Sequence, residues 1–263
     1  MLAGVAGQPI AHSLSPLIHS AWIAAAGLDA DYRAFGPEDA GGFATLVADG
    51  RAGRLRGLNV TAPFKEQALA LADDASVTAM TCGSANLLLF EGGRVRADST
   101  DGVGLMGALA EQAPKLDVRG QSVVVLGAGG AARAAAAALK MAGADVGVLN
   151  RTRARAEALA EELGVSVIEA TVLGEAALVI NALSVTPELD VFLLRDDAVL
   201  MDMTYRPLAT PFLMHGRGCG LTTVDGLAML IGQARPSFRA IFGIEPPAID
   251  VRTVALQALG ETP

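Results

Sequence analysis

The sequence is poor in cysteine, in aromatic residues and in charge. Its 263 residues include two cysteines and one tryptophan, 4% are aromatic and 18% are charged. Because Cys82 and Cys219 stand alone, neither a disulfide framework nor a cysteine metal site is indicated, and a reducing cytoplasm suits such a chain. The histidines His12, His19 and His215 lack the spacing of metal ligands. We therefore expect no metal.

Long apolar runs and basic stripes are also missing. Glycine, proline or charge interrupts each apolar run before it reaches the ~20 residues of a membrane span. The amino end has no basic region of the kind that begins a signal peptide. The formal net charge is −8, which argues against nucleic-acid binding. The chain is 52% hydrophobic and long enough for two domains. We expect a globular protein that binds a small molecule, but neither nucleic acid nor a membrane.

A glycine-rich turn lies between an apolar run and an alanine-rich stretch. The run 123–126 is followed by Gly127, Ala128, Gly129, Gly130 and Ala131, and helix-forming residues continue to Met141. Glycines at such a turn let the backbone approach a pyrophosphate, and the first N–H groups of the helix favour its negative charge. The segment predicts a dinucleotide site, with a purely structural turn as the alternative.

The end of the next predicted strand, 145–149, indicates which dinucleotide is bound. NAD sites usually place Asp or Glu there to bind the ribose 2′-hydroxyl. This chain instead has Asn150, Arg151, Thr152 and Arg155. Neutral and basic side chains suit a 2′-phosphate, so NADP is preferred over NAD. Arg153 is expected on the solvated face of the following helix, since alternate helical residues do not face one ligand.

Strands and helices alternate from residue 121 to about residue 225. Short apolar runs, typical of a parallel sheet covered on both faces, predict strands at 121–126, 145–149, 165–169, 178–183, 198–203 and 220–224. Helices are predicted at 130–141 and 152–163, the second ended by Gly164. Six strands with crossover helices predict a doubly wound, Rossmann-type domain.

The first hundred residues alternate in the same way. Strands are predicted at 2–6, 32–35, 57–60 and 85–90, with a hairpin turn at 91–93 leading into 94–97. Helices are predicted at 16–26, with Ser15 as N-cap, and at 64–71. The pattern is helical again after Asp225, with an interruption at 245–247. The predicted class is α/β with two domains: residues 1–102 form a substrate domain, 103–224 an NADP-binding domain, and 225–263 helices that return to the substrate domain.

Four polar segments interrupt the apolar pattern of the first domain, at 12–16, 59–65, 84–86 and 99–102. The last three lie at or just beyond predicted strand ends, where α/β sheets bind ligands. We expect one cleft for a compact polyhydroxylated ligand, lined by Ser13, Ser15, Asn59, Thr61, Lys65, Asn86 and Asp101. Each residue also has a structural reading. Ser15 would only cap a helix, Asn59 would only turn the chain, and Lys65 would be a surface lysine.

These segments and their order resemble the shikimate dehydrogenase family over nearly the whole chain. The matching motifs are Ser-Leu-Ser-Pro, Asn-Val-Thr-x-Pro-x-Lys, the Asn86 segment, Thr-Asp-Gly, Gly-Ala-Gly-Gly-Ala-Ala-Arg, Asn-Arg-Thr, residues 202–207, Thr-Pro at 210–211 and residues 225–234. The resemblance implies reversible, NADPH-dependent reduction of 3-dehydroshikimate to shikimate, in the pathway to chorismate and the aromatic amino acids. It also implies a cytoplasmic enzyme, which we expect to be a monomer or a homodimer.

The resemblance further implies residue roles. Ser13 and Ser15 would hold the substrate carboxylate. Lys65 and Asp101 match the catalytic pair, with Lys65 as proton donor and acceptor or chiefly as an electrostatic clamp. The residues implied to contact, order or place the ring are Asn59, Thr61, Asn86, Asp101, Tyr205 and Gln233. The positions implied to bind NADP are Gly127 to Ala132, Asn150, Arg151, Thr152, Arg155, Met203, Gly226 and Met229, the last of them at the nicotinamide.

The match loosens at a few positions. Ser20, Leu87 and Ser99 replace residues common near the substrate, and segment 181–187 lacks the Gly-Met often found near the nicotinamide. One alternative is a quinate/shikimate dehydrogenase of broader specificity, which often uses NAD. The neutral Asn150 argues against it. The alternative from another class is a non-catalytic NADP-binding sensor, which the retained Lys65 and Asp101 disfavour.

Overall fold

The computed structural model describes residues 1–183, 185–187 and 189–261. The chain divides into two compact units, Met1–Thr100 with Gln233–Pro263, and Asp101–Gly232. This division differs from the expected boundaries after residues 102 and 224. Residues 225–232, which we expected to return to the first domain, belong to the second unit. Within the described ranges, no helix is long and apolar enough to span a membrane.

The first unit contains a six-stranded mixed sheet. Its elements up to residue 100 are β1 (Leu2–Ala6), α1 (Ser15–Ala25), β2 (Asp31–Phe35), α2 (Ala40–Arg51), β3 (Gly57–Val60), α3 (Lys65–Ala70), β4 (Asp74–Ala75), α4 (Val77–Cys82), β5 (Leu87–Glu91) and β6 (Arg94–Asp98). The strand order is β2-β1-β3-β5-β6-β4, and only β5 is antiparallel to its neighbours. The carboxyl ends of β3 and β6 therefore lie on either side of the beginning of β5.

The strands and the hairpin predicted for the first unit are confirmed, but helix α2 was not predicted. Its sequence contains three glycines, which weaken a helix by about 1 kcal/mol each. Tertiary packing overrides that cost. Phe43 is fully buried, and a Cβ atom added to Gly50 would lie 2.4 Å from the ring of Phe90. Asp39 caps the helix by accepting a hydrogen bond from the amide of Gly42 at 2.8 Å.

The prediction that Ser15 caps helix α1 is wrong. The N-cap is Leu14, whose carbonyl accepts from the amide of Ile18 at 3.0 Å, and Ser15 is the first helical residue. Ser13 supplies the side chain instead, because its Oγ accepts from the amide of Ser15 at 3.3 Å. A hydroxyl two residues earlier in the chain thus satisfies an amide group that the helix leaves unpaired.

The second unit contains a six-stranded parallel sheet. Its elements are α5 (Asp101–Gln112), β7 (Ser122–Leu126), α6 (Gly130–Met141), β8 (Asp145–Leu149), α7 (Arg153–Leu163), β9 (Ser166–Val167), β10 (Leu178–Asn181), β11 (Val199–Asp202), α8 (Pro211–Gly218), β12 (Thr222–Val224) and the start of α9 (Gly226–Phe242). Short 3₁₀ turns lie at Ala170–Glu175 and Val191–Leu193. Helix α9 continues into the first unit, which also contains α10 (Val251–Leu259).

The strand order of the second sheet is β12-β11-β10-β7-β8-β9. Read from β9, this is the order 3-2-1-4-5-6 of a Rossmann fold, which confirms the predicted class. Strands β7 and β10 are neighbours, with Leu126 opposite Asn181 at their carboxyl ends. The strand order reverses between these two strands, and dinucleotides bind at that point in such sheets.

Candidate active site

Three predicted substrate residues of the first unit are joined by hydrogen bonds. Asn59 lies in β3, Asn86 directly precedes β5, and Gln233 lies on α9. Nδ2 of Asn59 donates to the carbonyl oxygen of Asn86 at 3.1 Å, and Nδ2 of Asn86 donates to Oε1 of Gln233 at 3.1 Å. The two asparagines are 5% and 3% exposed. Because β5 runs antiparallel to β3, the start of β5 lies next to the end of β3, and this brings the two asparagine side chains together.

Three further polar residues belong to the same network, and our sequence analysis did not select them. The hydroxyl of Tyr32 donates to Oδ1 of Asn59 at 2.8 Å, and Nδ2 of Asn59 donates to Oγ of Ser237 at 2.9 Å. The amide of Thr100 donates to Oδ1 of Asn86 at 2.8 Å. Thr100 lay inside a polar segment that we had marked. The position of Ser237, one helical turn after Gln233, was the available signal for that residue.

Ser13 and Ser15 lie together at the start of α1, as expected from their spacing. Ser15 is 5% exposed, and its hydroxyl has no hydrogen-bond partner among the described residues. Ser13 accepts from the amide of Ser15 but keeps its own proton for donation. The pair can therefore offer two O–H donors to an anionic oxygen.

Thr61 and Lys65 frame the turn between β3 and α3. The amide of Thr61 donates to the carbonyl of Ala6 at 2.8 Å, which ties this turn to the carboxyl end of β1. Lys65 is the first residue of α3 and is half-buried. Its main-chain carbonyl accepts from the amide of Ala85 at 2.9 Å, next to Asn86.

Two predicted substrate residues belong to the second unit. Asp101 is the first residue of α5 and is 6% exposed. Tyr205 follows β11 and is half-buried. The turn before Tyr205 is shaped by Asp202, whose Oδ1 accepts from the amide of Thr204 at 2.9 Å.

The glycine turn of the second unit joins β7 to α6. The backbone of Gly127 has φ at 118°, a conformation that L side chains rarely adopt, and an added Cβ would lie 3.2 Å from Cδ2 of Leu183. Gly129 is the N-cap of α6 and forms no side-chain cap, and a Cβ added there would meet nothing within 4 Å. The first amides of α6 are thus left for an anionic acceptor beside an open backbone.

The end of β8 has the charge pattern expected for a 2′-phosphate. Nδ2 of Asn150 donates to the carbonyl of Thr152 at 2.9 Å and so shapes the turn. Arg151 and Arg155 are exposed, and neither forms an ion pair with a described residue. Arg153 differs from both, because it pairs with Glu157 at 2.8 Å and also with Glu169. Arg153 thus lies exposed on α7, the solvated position that we expected for it, and its ion pairs are an additional finding.

Met203, Gly226 and Met229 lie at the carboxyl ends of β11 and β12. An added Cβ on Gly226 would lie 2.5 Å from the carbonyl oxygen of Met203, so glycine is required where α9 begins. Met229 is 8% exposed on the first turn of α9.

Segment 181–187, where the motif match loosens, folds back on Asn181. The Oδ1 atom of Asn181 accepts from the amide of Leu183 at 3.1 Å, and its Nδ2 atom donates to the carbonyl of Val185 at 3.3 Å. Ser184 of this segment lies outside the described residues. Among the residues described, no group of three or more His, Cys, Asp or Glu side chains could hold a metal ion.

One unit with a Rossmann sheet and an open glycine turn, and another α/β unit with gathered hydrogen-bonding side chains, are together typical of the class of nicotinamide-dependent dehydrogenases. Comparison with known proteins narrows this class. Residues 5–88 match the shikimate dehydrogenase substrate binding domain, and residues 108–186 match shikimate / quinate 5-dehydrogenase. The NADP(+) shikimate dehydrogenase of Caulobacter vibrioides is 54% identical, covering 99% of this chain and 96% of the relative. The chain belongs to the shikimate dehydrogenase family.

Solved structures agree with this relationship. Shikimate 5-dehydrogenase from Thermus thermophilus, in complex with NADP(H) and shikimate, superposes with a TM-score of 0.91 at 36% identity, covering 98% of this chain and 99% of that one. Quinate dehydrogenase from Corynebacterium glutamicum, in complex with NAD, superposes with a TM-score of 0.89 at 29% identity, over 98% and 99% of the two chains. The fold alone therefore does not separate shikimate from quinate specificity.

Proposed function

We propose that this chain is an NADP-dependent shikimate dehydrogenase, which interconverts 3-dehydroshikimate and shikimate in aromatic amino acid biosynthesis. The observation that carries the proposal is the full-length relationship to NADP(+) shikimate dehydrogenases at 54% identity. The retained Lys65 and Asp101 support it, as do Arg151 and Arg155, which form no ion pair with a described residue.

In this proposal each compact unit binds one of the two ligands. The first unit would bind the substrate, and its sequence over residues 5–88 matches a substrate binding domain. The second unit would bind NADP at the carboxyl edge of its parallel sheet. We draw the functional boundaries where the compact units meet along the chain, at Thr100 and Gly232.

The residues of the second unit fit NADP. The backbone of Gly127 and Gly129 and the free amides at the start of α6 would hold the pyrophosphate, since a side chain on Gly129 would fill the open space there. Arg151, Thr152 and Arg155 would hold the 2′-phosphate. Met203, Gly226 and Met229 would border the nicotinamide. The bound cofactor supplies the hydride for reduction.

The residues of the first unit would bind and orient the ring. Ser13 and Ser15 would donate to the substrate carboxylate, while Asn59, Thr61, Asn86 and Gln233 would contact ring hydroxyls or order the site. Tyr205, in the second unit, would help to place the substrate. The amides of Asn59, Asn86 and Gln233 cost little to orient because hydrogen bonds already hold them.

Lys65 and Asp101 would be the catalytic pair. Reduction of a ketone places negative charge on its oxygen, which a positioned cation stabilises. Lys65 would donate a proton from Nζ to that oxygen in reduction and accept it in oxidation. Asp101 would accept a hydrogen bond from a neighbouring ring hydroxyl.

Turnover measured for each pair of substrate and cofactor tests the proposal. Reduction of NADP and of NAD is followed by nicotinamide absorbance with shikimate and with quinate. We expect rapid turnover for shikimate with NADP and much slower turnover for the other pairs. Comparable rates with quinate would assign the chain to the broader-specificity relatives, which the fold alone does not separate from this one. Tight NADPH binding without any turnover would identify a non-catalytic sensor.

Compartment and assembly complete the proposal. No disulfide joins Cys82 and Cys219, which suits the reducing cytoplasm that we propose for this enzyme. We propose a monomer or homodimer, and analytical ultracentrifugation across a range of concentrations distinguishes the two.

A further inference from the structure

The hydrogen bonds around Gln233 determine which end of its carboxamide faces the substrate. The starting point is the main-chain amide of Thr100, which can only donate and which donates to Oδ1 of Asn86 at 2.8 Å. This bond fixes the orientation of the Asn86 side chain. Its Nδ2 atom then faces Oε1 of Gln233 at 3.1 Å. A flipped Gln233 would set two donors against each other, so Oε1 faces inward and Nε2 faces outward.

Ser237 supports this arrangement from one helical turn further along α9. It is fully buried, and its hydroxyl donates to the main-chain carbonyl of Gln233 at 3.0 Å. Its Oγ also accepts from Nδ2 of Asn59 at 2.9 Å, and Oγ1 of Thr100 lies 3.3 Å from it. One serine thus links the helix to both strand ends.

Tyr32 closes the other end of the network. The carbonyl of Asn86 can only accept, so it fixes Nδ2 of Asn59 inward, and Oδ1 of Asn59 then accepts from the Tyr32 hydroxyl at 2.8 Å. The ring of Tyr32 stacks on His19, with centroids 4.1 Å apart and planes 3° apart. Burial raises the pKa of Tyr32 well above its usual value, so the hydroxyl remains a donor.

We propose that Ser237 and Tyr32 are positioning residues of the substrate site, which hold the Asn59–Asn86–Gln233 amides so that Gln233 presents Nε2 as a donor to a ring oxygen of the substrate. Nε2 of Gln233 has no hydrogen-bond partner among the described residues. The inference rests on the proposed function, because it takes a hydroxylated ring acid as the ligand. It adds two residues that touch neither substrate nor cofactor.

A double-mutant cycle tests the link between Ser237 and Gln233. Removing the Ser237 hydroxyl in Ser237→Ala should raise KM for shikimate about fivefold to tenfold, the expected loss for one hydrogen bond, while KM for NADP stays unchanged. Gln233→Ala should raise the shikimate KM at least as much. Because Ser237 acts through Gln233, the double variant should equal Gln233→Ala within about twofold. Tyr32→Phe should show a smaller rise of the same kind.

A destabilised control separates positioning from loss of structure. Asp39 caps α2 in the same unit, accepting from the amide of Gly42 at 2.8 Å, and forms no hydrogen bond with the Asn59–Asn86–Gln233 network. Asp39→Ala should lower the melting temperature but leave the shikimate KM within about twofold of wild type. An equal rise of KM in Asp39→Ala, or additive effects in the double variant, would overturn the inference. A wild-type enzyme inactive on shikimate would overturn the proposed function, and the inference with it.

Discussion

The two units differ in how their candidate binding groups are held: by hydrogen bonds between buried side chains in the first, and as open backbone and exposed charge in the second. In the first unit, polar side chains such as Asn59, Asn86 and Ser237 bond to one another inside the protein, at 5%, 3% and 0% exposure. In the second unit, the groups proposed to bind the cofactor are glycine backbone and solvent-exposed arginines, and Arg151 and Arg155 have no carboxylate partner among the described residues. A small hydroxylated ring needs donors and acceptors fixed in direction. A phosphate needs charge and free N–H groups, which a helix end and flexible cations supply.

The largest expected effect tests the chemistry assigned to the first unit. Lys65→Ala should lower turnover by about 10²–10⁴-fold, because the positioned proton donor is lost. Binding of NADPH, measured by fluorescence titration, should stay close to wild type if the cofactor groups lie in the second unit. Lys115→Ala is the matched control, since Lys115 is an exposed lysine of the second unit and should retain full activity. A near-wild-type rate in Lys65→Ala would remove Lys65 from the mechanism.

The second prediction concerns the unpaired charges of the second unit. The Arg151→Gln, Arg155→Gln double variant should raise KM for NADPH about 10- to 100-fold and leave KM for NADH nearly unchanged, because charge-assisted bonds to the 2′-phosphate are lost. Arg153→Gln is the control, because Arg153 already pairs with Glu157 and Glu169. Equal changes for NADPH and NADH in the double variant would contradict the 2′-phosphate assignment.

The third prediction separates backbone strain from backbone access within the glycine turn. Gly127→Ala should lower the free energy of unfolding by about 1–3 kcal/mol, because φ at 118° strains any residue with a Cβ. Gly129→Ala should leave stability nearly unchanged, since nothing lies within 4 Å of the added Cβ, yet it should weaken NADPH binding. Urea unfolding and NADPH titration of both variants check this. Full NADPH affinity in Gly129→Ala would mean that the pyrophosphate does not approach this residue.

The last prediction is a pH dependence of stability confined to the first unit. Burial lowers the pKa of His19 from 6.5 to about 3. Below about pH 6.5 the unfolded chain binds a proton that the folded unit does not, so stability should fall as the pH falls towards 3. The loss at pH 5 is about 2 kcal/mol. Trp22, the single tryptophan, lies 5.7 Å from the His19 ring and reports unfolding of this unit by its fluorescence.

Two variants identify the responsible histidine. His19→Phe keeps an aromatic ring against Tyr32 but cannot bind a proton, so its stability should vary less between pH 6.5 and pH 4. His215→Gln, at an exposed position in the second unit, should keep the wild-type pH dependence. Identical pH profiles for His19→Phe and wild type would show that another group is responsible.

The sequence was most informative where one local pattern decides the structure. The six strands of the second unit follow from short apolar runs, and the end of α7 at Gly164 follows from a left-handed glycine with φ at 62°. Helix α2 was missed because its glycines weaken the local signal, and only the packing of Phe43 and Gly50 compensates. The N-cap was assigned to Ser15, one position too late, whereas Leu14 is the N-cap and the Ser13 hydroxyl accepts from the amide of Ser15.

The sequence by itself determined the order of the elements, the family and the types of residue at each candidate position, because motifs and hydrophobic periodicity are local properties of the chain. The hairpin already implied that β5 and β6 are antiparallel, but only the tertiary structure decided that β5 pairs antiparallel with β3, which brings Asn86 next to the end of β3. It also decided that Tyr32, Thr100 and Ser237 join the amides of Asn59 and Gln233. Those partners are up to 178 residues apart in the chain, and hydrogen bonds between them exist only once the strands and α9 have packed.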